Sequence, residues 1–226
     1  MSRSSNPAGP PAPVPRRHTS PKAWRMLLSL TLAVTATPAL ASSATASGGR
    51  GAEAGRDPAG FISTRAKPGS LPLVERGRAA TLVVSAGDHP GVVRAVGDLR
   101  DDVERVTGVR PAVVTDQVPA QGEVVLVGTI GKSPLIDRLI AARKLDVRGV
   151  ADRWETSLQQ IVANPLPGVR RAFVIAGSDQ RGTVFGAYEV SKQIGVSPWY
   201  WWDDVPPRRS DELHVLPGRH SQGTPA

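Results

Sequence analysis

The residues best suited to recognition chemistry form one run near the end of the 226-residue chain. Trp199, Tyr200, Trp201 and Trp202 are consecutive in a sequence with few other aromatic residues, and Asp203 follows them directly. Aromatic rings stack on sugar rings or bases and also fill protein cores. The run is therefore either a recognition surface or a strand with aromatic side chains buried on both of its faces.

A strand and a helix must position this run. Residues 173–176 (FVIA) predict a buried strand, and residues 177–179 (GSD) predict a turn that caps a following helix. The helix is expected over residues 183–194, and Gly195 ends it. The predicted apolar face of this helix comprises Val184, Tyr188, Ser191 and Ile194.

Two glycines mark this helix as closely packed. Gly182 and Gly186 lie four residues apart and therefore share a helical face. Glycine lowers helix stability, so its presence here predicts that a neighbouring backbone approaches the helix closely.

The whole segment 176–206 (AGSDQRGTVFGAYEVSKQIGVSPWYWWDDVP) resembles the end of the N-terminal domain of glycoside hydrolase family 115, the xylan α-1,2-glucuronidases. Residues 124–135 (VVLVGTIGKSPL), Trp154 and residues 164–168 (NPLPG) also resemble that family, so the likeness extends from about Leu73 to the end. The chain departs from the family pattern at Asp203 and Asp204, where a small residue followed by a single Asp is expected.

This resemblance implies that catalysis belongs to a separate domain. In the family, the domain precedes a (β/α)8 barrel that carries the catalytic carboxylates, and this chain is expected to stop before that barrel. The resemblance implies a docking surface for the barrel at Arg181, Gly182, Gly186 and Trp199. It also implies that Trp201, Trp202 or Asp203 reaches the rim of the substrate pocket. The expected partners are the missing barrel and, through the full-length enzyme, a glucuronoxylan-type polysaccharide.

Catalysis by these residues alone is not expected. Glycoside hydrolysis usually needs two carboxyl groups that flank the scissile bond. Asp203 and Asp204 are adjacent and would point to opposite sides of an extended segment, while Asp101 and Asp102 are expected to lie on the solvated side of a helix. No catalytic residue is therefore assigned.

Two further patterns argue against a cofactor or a metal. Residues 131–133 (GKS) resemble part of a phosphate-binding loop, but Leu126 stands where that motif requires its first glycine. Ser133 is expected instead to cap a helix. His89, His214 and His220 show no metal-ligand spacing.

The N-terminus has the composition of an export signal. Five basic residues and no acid occur before Ala41, around the apolar stretch 26–36 and a small-residue cleavage pattern at residues 38–41 (PALA). A secretory signal peptide is predicted over residues 1–41, with cleavage after Ala41, and the stretch is too short for a stable membrane anchor. Arg16 and Arg17 leave the twin-arginine route open.

Charge and cysteine content narrow the function classes. The net charge of +8 falls to +3 without the five basic residues of the leader, so nucleic-acid binding is not expected. The absence of cysteine excludes disulfides and thiol chemistry.

The remaining sequence predicts an α/β fold. Residues 42–70 are expected to be a disordered linker, 71–217 the folded domain and 218–226 a tail. Apolar runs and helical periodicity give the order β-α-β-β-α-β-β-α, in which residues 154–162 and the strand at Phe173 form an antiparallel hairpin. This order predicts a mixed sheet packed with helices, a non-barrel accessory domain. Its clearest helix carries an apolar face of Val92, Val96, Leu99, Val103 and Val106 and ends at Gly108.

Two functions fit these observations. The chain is either the non-catalytic N-terminal domain of a secreted α-glucuronidase or a free-standing carbohydrate-binding or scaffold module. A nucleotide-linked enzyme is a weaker third option, because the phosphate-loop motif is incomplete.

Overall fold

A computed structural model of the chain describes residues 60–197 and 206–223. The helices are α1 (Pro90–Thr107), α2 (Pro134–Ala141) and α3 (Gln180–Gln193). The strands are β1 (Ile62–Ser63), β2 (Leu71–Glu75), β3 (Arg78–Ala79), β4 (Thr81–Val84), β5 (Val113–Thr115), β6 (Val124–Thr129), β7 (Ser157–Ala163), β8 (Arg171–Gly177), β9 (Leu213–Val215) and β10 (Arg219–Gln222).

The strands form two sheets. The larger sheet has the order β10-β7-β8-β6-β4-β5; its β5, β4, β6 and β8 are parallel, while β7 and β10 run antiparallel to their neighbours. The smaller sheet is antiparallel, with the order β1-β9-β2-β3. The described residues contain no closed barrel. The predicted mixed α/β fold is confirmed, and β4 to α3 follow the predicted element order.

The larger sheet is buried on both faces. Every residue of β6 is buried, as the uninterrupted apolar run predicts. Alternate residues of β4 enter different cores: Leu82 and Val84 join the core under α1 and α3, whereas Val83 joins the core under α2. The sheet thus has helices on both sides, and its central strands need apolar side chains at successive positions.

Helix α1 confirms the clearest helical prediction. The five residues of its predicted apolar face are all buried. Gly108 ends the helix at φ 76°, a left-handed conformation that favours glycine, and its N–H donates to the Glu104 carbonyl at 2.7 Å.

The folded part extends past both predicted boundaries. Strand β1 lies within the predicted linker 42–70 and pairs with β9, and Phe61 beside it is 4% exposed. Strand β10 lies within the predicted tail 218–226 and pairs with β7. Phe61 also stacks on His220 of β10, with ring centroids 4.7 Å apart. Strands as short as β1 and β10 show little apolar periodicity in the sequence. The predicted leader and residues 42–59 lie outside the described residues.

The predicted apolar face of α3 is partly wrong. Tyr188 is 44% exposed, and its hydroxyl donates to Asp98 Oδ2 at 2.8 Å. Partial burial and this hydrogen bond raise the pKa of Tyr188 to about 12. The residues that α3 does bury are mostly small: Gly182, Thr183, Gly186, Ala187, Val190 and Ser191. A small-residue face gives a weak apolar signal in the sequence but allows a close approach.

The glycines of α3 lie directly on β7. A Cβ atom added to Gly182 would lie 2.5 Å from the carbonyl oxygen of Thr156, just before the strand. At Gly186 it would lie 2.9 Å from Cβ of Ser157. Both positions are too crowded for any side chain, so the predicted close backbone approach is confirmed at Gly182.

None of the helices in the described ranges is long and apolar enough to cross a bilayer.

The packing of α3 predicts opposite effects for two glycine substitutions. Gly182→Ala should lower the free energy of unfolding by about 1–3 kcal/mol, because the new methyl group collides with rigid backbone. Gly97→Ala is the matched control, since Gly97 lies in α1 with no heavy atom within 4 Å of its would-be Cβ. This control should stabilise the chain by about 0.5–1 kcal/mol. Urea denaturation measures both, and equal tolerance of the two substitutions would contradict the packing argument.

Candidate functional site

An exposed tryptophan lies where the parallel strands end. Trp154 is 74% exposed and precedes β7 by three residues. The first residue of β7, Ser157, pairs with Gly177, the last residue of β8. Trp154 therefore lies near the carboxyl end of β8 and the start of α3. In open α/β sheets, this edge is where ligands commonly bind.

One carboxylate joins the tryptophan turn to the helix. Asp179 is the N-cap of α3, and its Oδ1 accepts a hydrogen bond from the Gly182 N–H at 2.8 Å. Its Oδ2 accepts a second bond from the Glu155 N–H, also at 2.8 Å. Because Glu155 is next to Trp154, Asp179 holds the backbone of the turn that carries Trp154 against the start of α3.

A second carboxylate connects the same turn to Arg181. Glu155 is 8% exposed and has a φ of 52°, an unusual conformation for a residue other than glycine. Its Oε1 lies 2.7 Å from NH1 of Arg181, whose side chain remains 67% exposed. The guanidinium also lies 5.7 Å from the centroid of the Phe185 ring. We call Trp154, Glu155, Asp179 and Arg181 the Trp154 platform.

The side chains of the platform have the chemistry of recognition. Both of its carboxylates are occupied, Asp179 by two backbone N–H groups and Glu155 by Arg181. Neither is poised as a free acid and base pair flanking a bond. The platform instead offers an exposed aromatic ring and a partly exposed cation, which suit a sugar, an anionic group or a protein surface.

Three of the seven predicted site residues lie within the described part of the chain, and four lie outside it. Arg181 belongs to the platform, and the buried Gly182 and Gly186 hold the helix that carries it against β7. Trp199, Trp201, Trp202 and Asp203 lie outside the described residues. The docking role of Arg181, Gly182, Gly186 and Trp199 and the substrate-pocket role of the other three residues therefore stay predictions.

Sequence reasoning found part of the platform, since Asp179 was placed in a helix-capping turn and Arg181 in the docking surface. Trp154 entered the sequence analysis through the family resemblance and as the start of the extended segment 154–162, and Glu155 only as part of that segment. The contact of Asp179 with the Trp154 turn joins positions that are 24 residues apart. The available signal was a tryptophan followed by an acid in a polar turn, which predicts exposure without predicting a partner.

Of the two adjacent carboxylates on α1, Asp101 reaches solvent as expected and Asp102 does not. Asp101 is partly exposed and ion-paired with Arg100 and Arg110, as a surface residue should be. Asp102 is buried beside Arg105, and this burial raises its pKa. The prediction of a solvated side chain is therefore wrong for Asp102, which faces the core between α1 and α3.

The GKS segment lacks a phosphate cradle. The Gly131 N–H donates to Asp137 Oδ1 at 2.8 Å, so an acid occupies the donor that a phosphate would use. Ser133 is the N-cap residue of α2, as predicted, but its hydroxyl makes no capping bond. That hydroxyl is buried without a partner, 2.5 Å from where a Cβ on Gly128 would lie. It therefore points at β6 and away from any ligand.

Residues able to hold a metal lie on the smaller sheet. Ligand atoms of Glu75, Glu212 and His214 all lie within 4.8 Å of one another. The sequence analysis found no metal-ligand spacing for His214, because these ligands come from two strands that are distant in sequence.

No protein-family model matches this sequence, and no curated protein matches it. Among solved structures, the chain is similar to BtGH115A, a family GH115 4-O-methyl-alpha-glucuronidase with specificity for decorated arabinogalactans. The identity is 25% and the TM-score 0.53, over 68% of this chain and 18% of that chain. A second structure, of CpGH84D, is 8% identical with a TM-score of 0.40, over 69% of this chain and 22% of that chain.

The first likeness supports a GH115-like relationship and a glycoside hydrolase-like fold. The chain spans 18% of the length of that enzyme.

The two hydrogen bonds of Asp179 predict that its removal lowers the stability of the chain. Asp179→Ala removes the helix cap, which costs about 1–2 kcal/mol of stability, and also leaves the Glu155 N–H without its acceptor. Asp101→Ala is the control, since it removes only partly exposed ion pairs worth about 0–1 kcal/mol. Urea denaturation of both variants checks this, and an Asp179→Ala variant as stable as Asp101→Ala would refute the joining role.

Proposed function

We propose that this chain is the N-terminal, non-catalytic domain of a glycoside hydrolase that resembles the xylan α-1,2-glucuronidases. Such an enzyme removes (4-O-methyl-)glucuronic acid side chains from xylan. The observation that carries the proposal is the likeness to a GH115 glucuronidase at 25% identity over 68% of this chain. That likeness fits a polysaccharide substrate for the full-length enzyme.

The non-catalytic role is supported by the chemistry of the described residues. The Trp154 platform keeps its two carboxylates occupied, and Asp101 and Asp102 of α1 are engaged by arginines. The barrel of the longer enzyme would supply the acid and the base.

We add Trp154 to the docking surface that the sequence analysis predicts. We place the missing barrel against Arg181 and Trp199 and include Trp154, because this residue is 74% exposed and large exposed apolar surfaces mark interaction sites. Gly182 and Gly186 support this surface by holding α3 on β7. The predicted role of Trp201, Trp202 or Asp203 at the rim of the substrate pocket remains part of this proposal.

A free-standing carbohydrate-binding module is the second candidate. The exposed ring of Trp154 and the exposed cation of Arg181 favour it, since this pair could contact a sugar face and an acidic substituent. Neither candidate predicts hydrolysis by this chain.

Two measurements test the proposal. Sequencing past the codon for Ala226 should show a reading frame that continues into barrel-type strands and acidic residues. The 226-residue chain should release no uronic acid from glucuronoxylan or from decorated arabinogalactan, whereas the longer product should release it from at least one of them. A stop codon, together with tight binding of either polymer by the isolated chain, would favour the free-standing module.

The longer product also tests the docking surface. Trp154→Ala should lower its thermal stability or its activity, because the ring would be buried against the barrel. Asp101→Ala is the control, since Asp101 lies outside the Trp154 platform and its loss removes only partly exposed ion pairs. Equal behaviour of the two variants would contradict the docking role.

We also propose that the protein is secreted, with cleavage after Ala41. The composition of residues 1–41 supports this. Mass spectrometry of the exported product should find an N-terminus at Ser42, and an N-terminus that retains Arg25 would contradict the proposal.

A further inference from the structure

Three ligand-type side chains meet on one face of the smaller sheet. Glu75 is the last residue of β2, Glu212 precedes β9, and His214 lies in the middle of β9. Strands β2 and β9 are hydrogen-bonded neighbours in the centre of this sheet. Glu212 and His214 are two residues apart and therefore share a face of β9. The fold thus brings together one imidazole and two carboxylates.

The burial of these side chains differs in a way that suits a metal site. His214 has a side chain that is 1% exposed, and its Nε2 lies 3.2 Å from Oε2 of Glu212. The Glu212 side chain is 39% exposed, and Glu75 is half-buried. The imidazole is therefore buried, while both carboxylates are partly exposed to solvent.

The charge of the cluster is incompletely compensated. The pairing of His214 with Glu212 accounts for one carboxylate. The other, Glu75, forms no hydrogen bond or ion pair with any described residue, although Arg78 lies opposite it in the β2–β3 pair. A half-buried carboxylate within 4.8 Å of a second carboxylate is repelled by it, and a bound cation would remove this cost.

The ligand atoms are near enough to reach one ion. Zinc binds histidine nitrogen and carboxylate oxygen at about 2.0–2.2 Å, so two ligands of one ion lie about 3.3–3.6 Å apart in a tetrahedron. His214 and Glu212 are hydrogen-bonded at 3.2 Å, and an ion would take the place of the shared proton at a similar separation. The remaining separations, all within 4.8 Å, would shorten by rotation of the partly exposed Glu side chains.

We propose that Glu75, Glu212 and His214 form a binding site for a divalent first-row transition metal, with Zn²⁺ as the ion that fits best. A neutral imidazole and two carboxylates balance the charge of a divalent cation. The imidazole selects against Ca²⁺ and Mg²⁺, which prefer oxygen ligands. Water would complete the coordination. The ion would cross-link β2 to β9 and so stabilise the smaller sheet; this inference is independent of the proposed function.

Metal titration of the whole chain tests the site. The protein is produced without a polyhistidine tag, treated with EDTA, dialysed and titrated with ZnCl₂ in a calorimeter. One equivalent should bind, and the same addition should raise the Tm, because an ion that binds only the folded state stabilises it. CaCl₂ should bind at least about tenfold more weakly, since it gains little from imidazole.

The Glu75→Gln variant is the decisive comparison. It keeps the size of a half-buried side chain, so it should fold, and it should weaken Zn²⁺ binding at least about tenfold because one charged ligand is lost. Glu189→Gln is the matched control, since Glu189 is a half-buried acid on α3, and its binding should equal that of the parent. Absence of saturable Zn²⁺ binding, unchanged binding in Glu75→Gln, or Ca²⁺ binding as tight as Zn²⁺ binding would each overturn the proposal.

Discussion

The contact between α3 and β7 is the constraint on which the candidate site depends. Gly182 and Gly186 let the helix lie on the strand so closely that no side chain fits between them. This approach puts the start of α3 beside the turn that precedes β7. Asp179 then reaches the Glu155 N–H, and Arg181 reaches the Glu155 carboxylate. The turn that carries Trp154 is therefore held beside α3 by an approach that two glycines allow.

Much of the larger sheet could be predicted from the sequence. Strands β4, β6 and β8 are short apolar runs, and α1 has a regular apolar face, so hydrophobic pattern alone identifies them. The hairpin of β7 and β8 followed from a mixed, extended segment and an apolar run on either side of a proline- and glycine-containing loop. These elements bury their apolar side chains, and a hydrophobic pattern in the sequence indicates which side chains are buried.

The smaller sheet could not be predicted in the same way. Strands β1 and β3 have two residues each, and no periodicity can be read from two residues. Their partners are also remote, since Ile62 pairs with Val215. The face of α3 was misassigned for a related reason: its buried residues are small, so Tyr188 dominated the apolar pattern although it faces Asp98 near the surface. The platform and the Glu75 cluster both depend on contacts between separated segments, which single-sequence reasoning cannot locate.

The position of β9 between β1 and β2 orders events on the ribosome. Strands β1 and β2 are made early but lie on either side of β9 in the sheet, and β9 follows β2 by about 140 residues in the chain. Strand β10, later still, completes the edge of the larger sheet beside β7. The nascent chain can assemble its central parallel strands first, but β1 and β2 stay unpaired with β9 until β9 has been made. Closure of the smaller sheet is therefore a late, non-local step, and such steps are slow because long loops must be ordered before their contacts form.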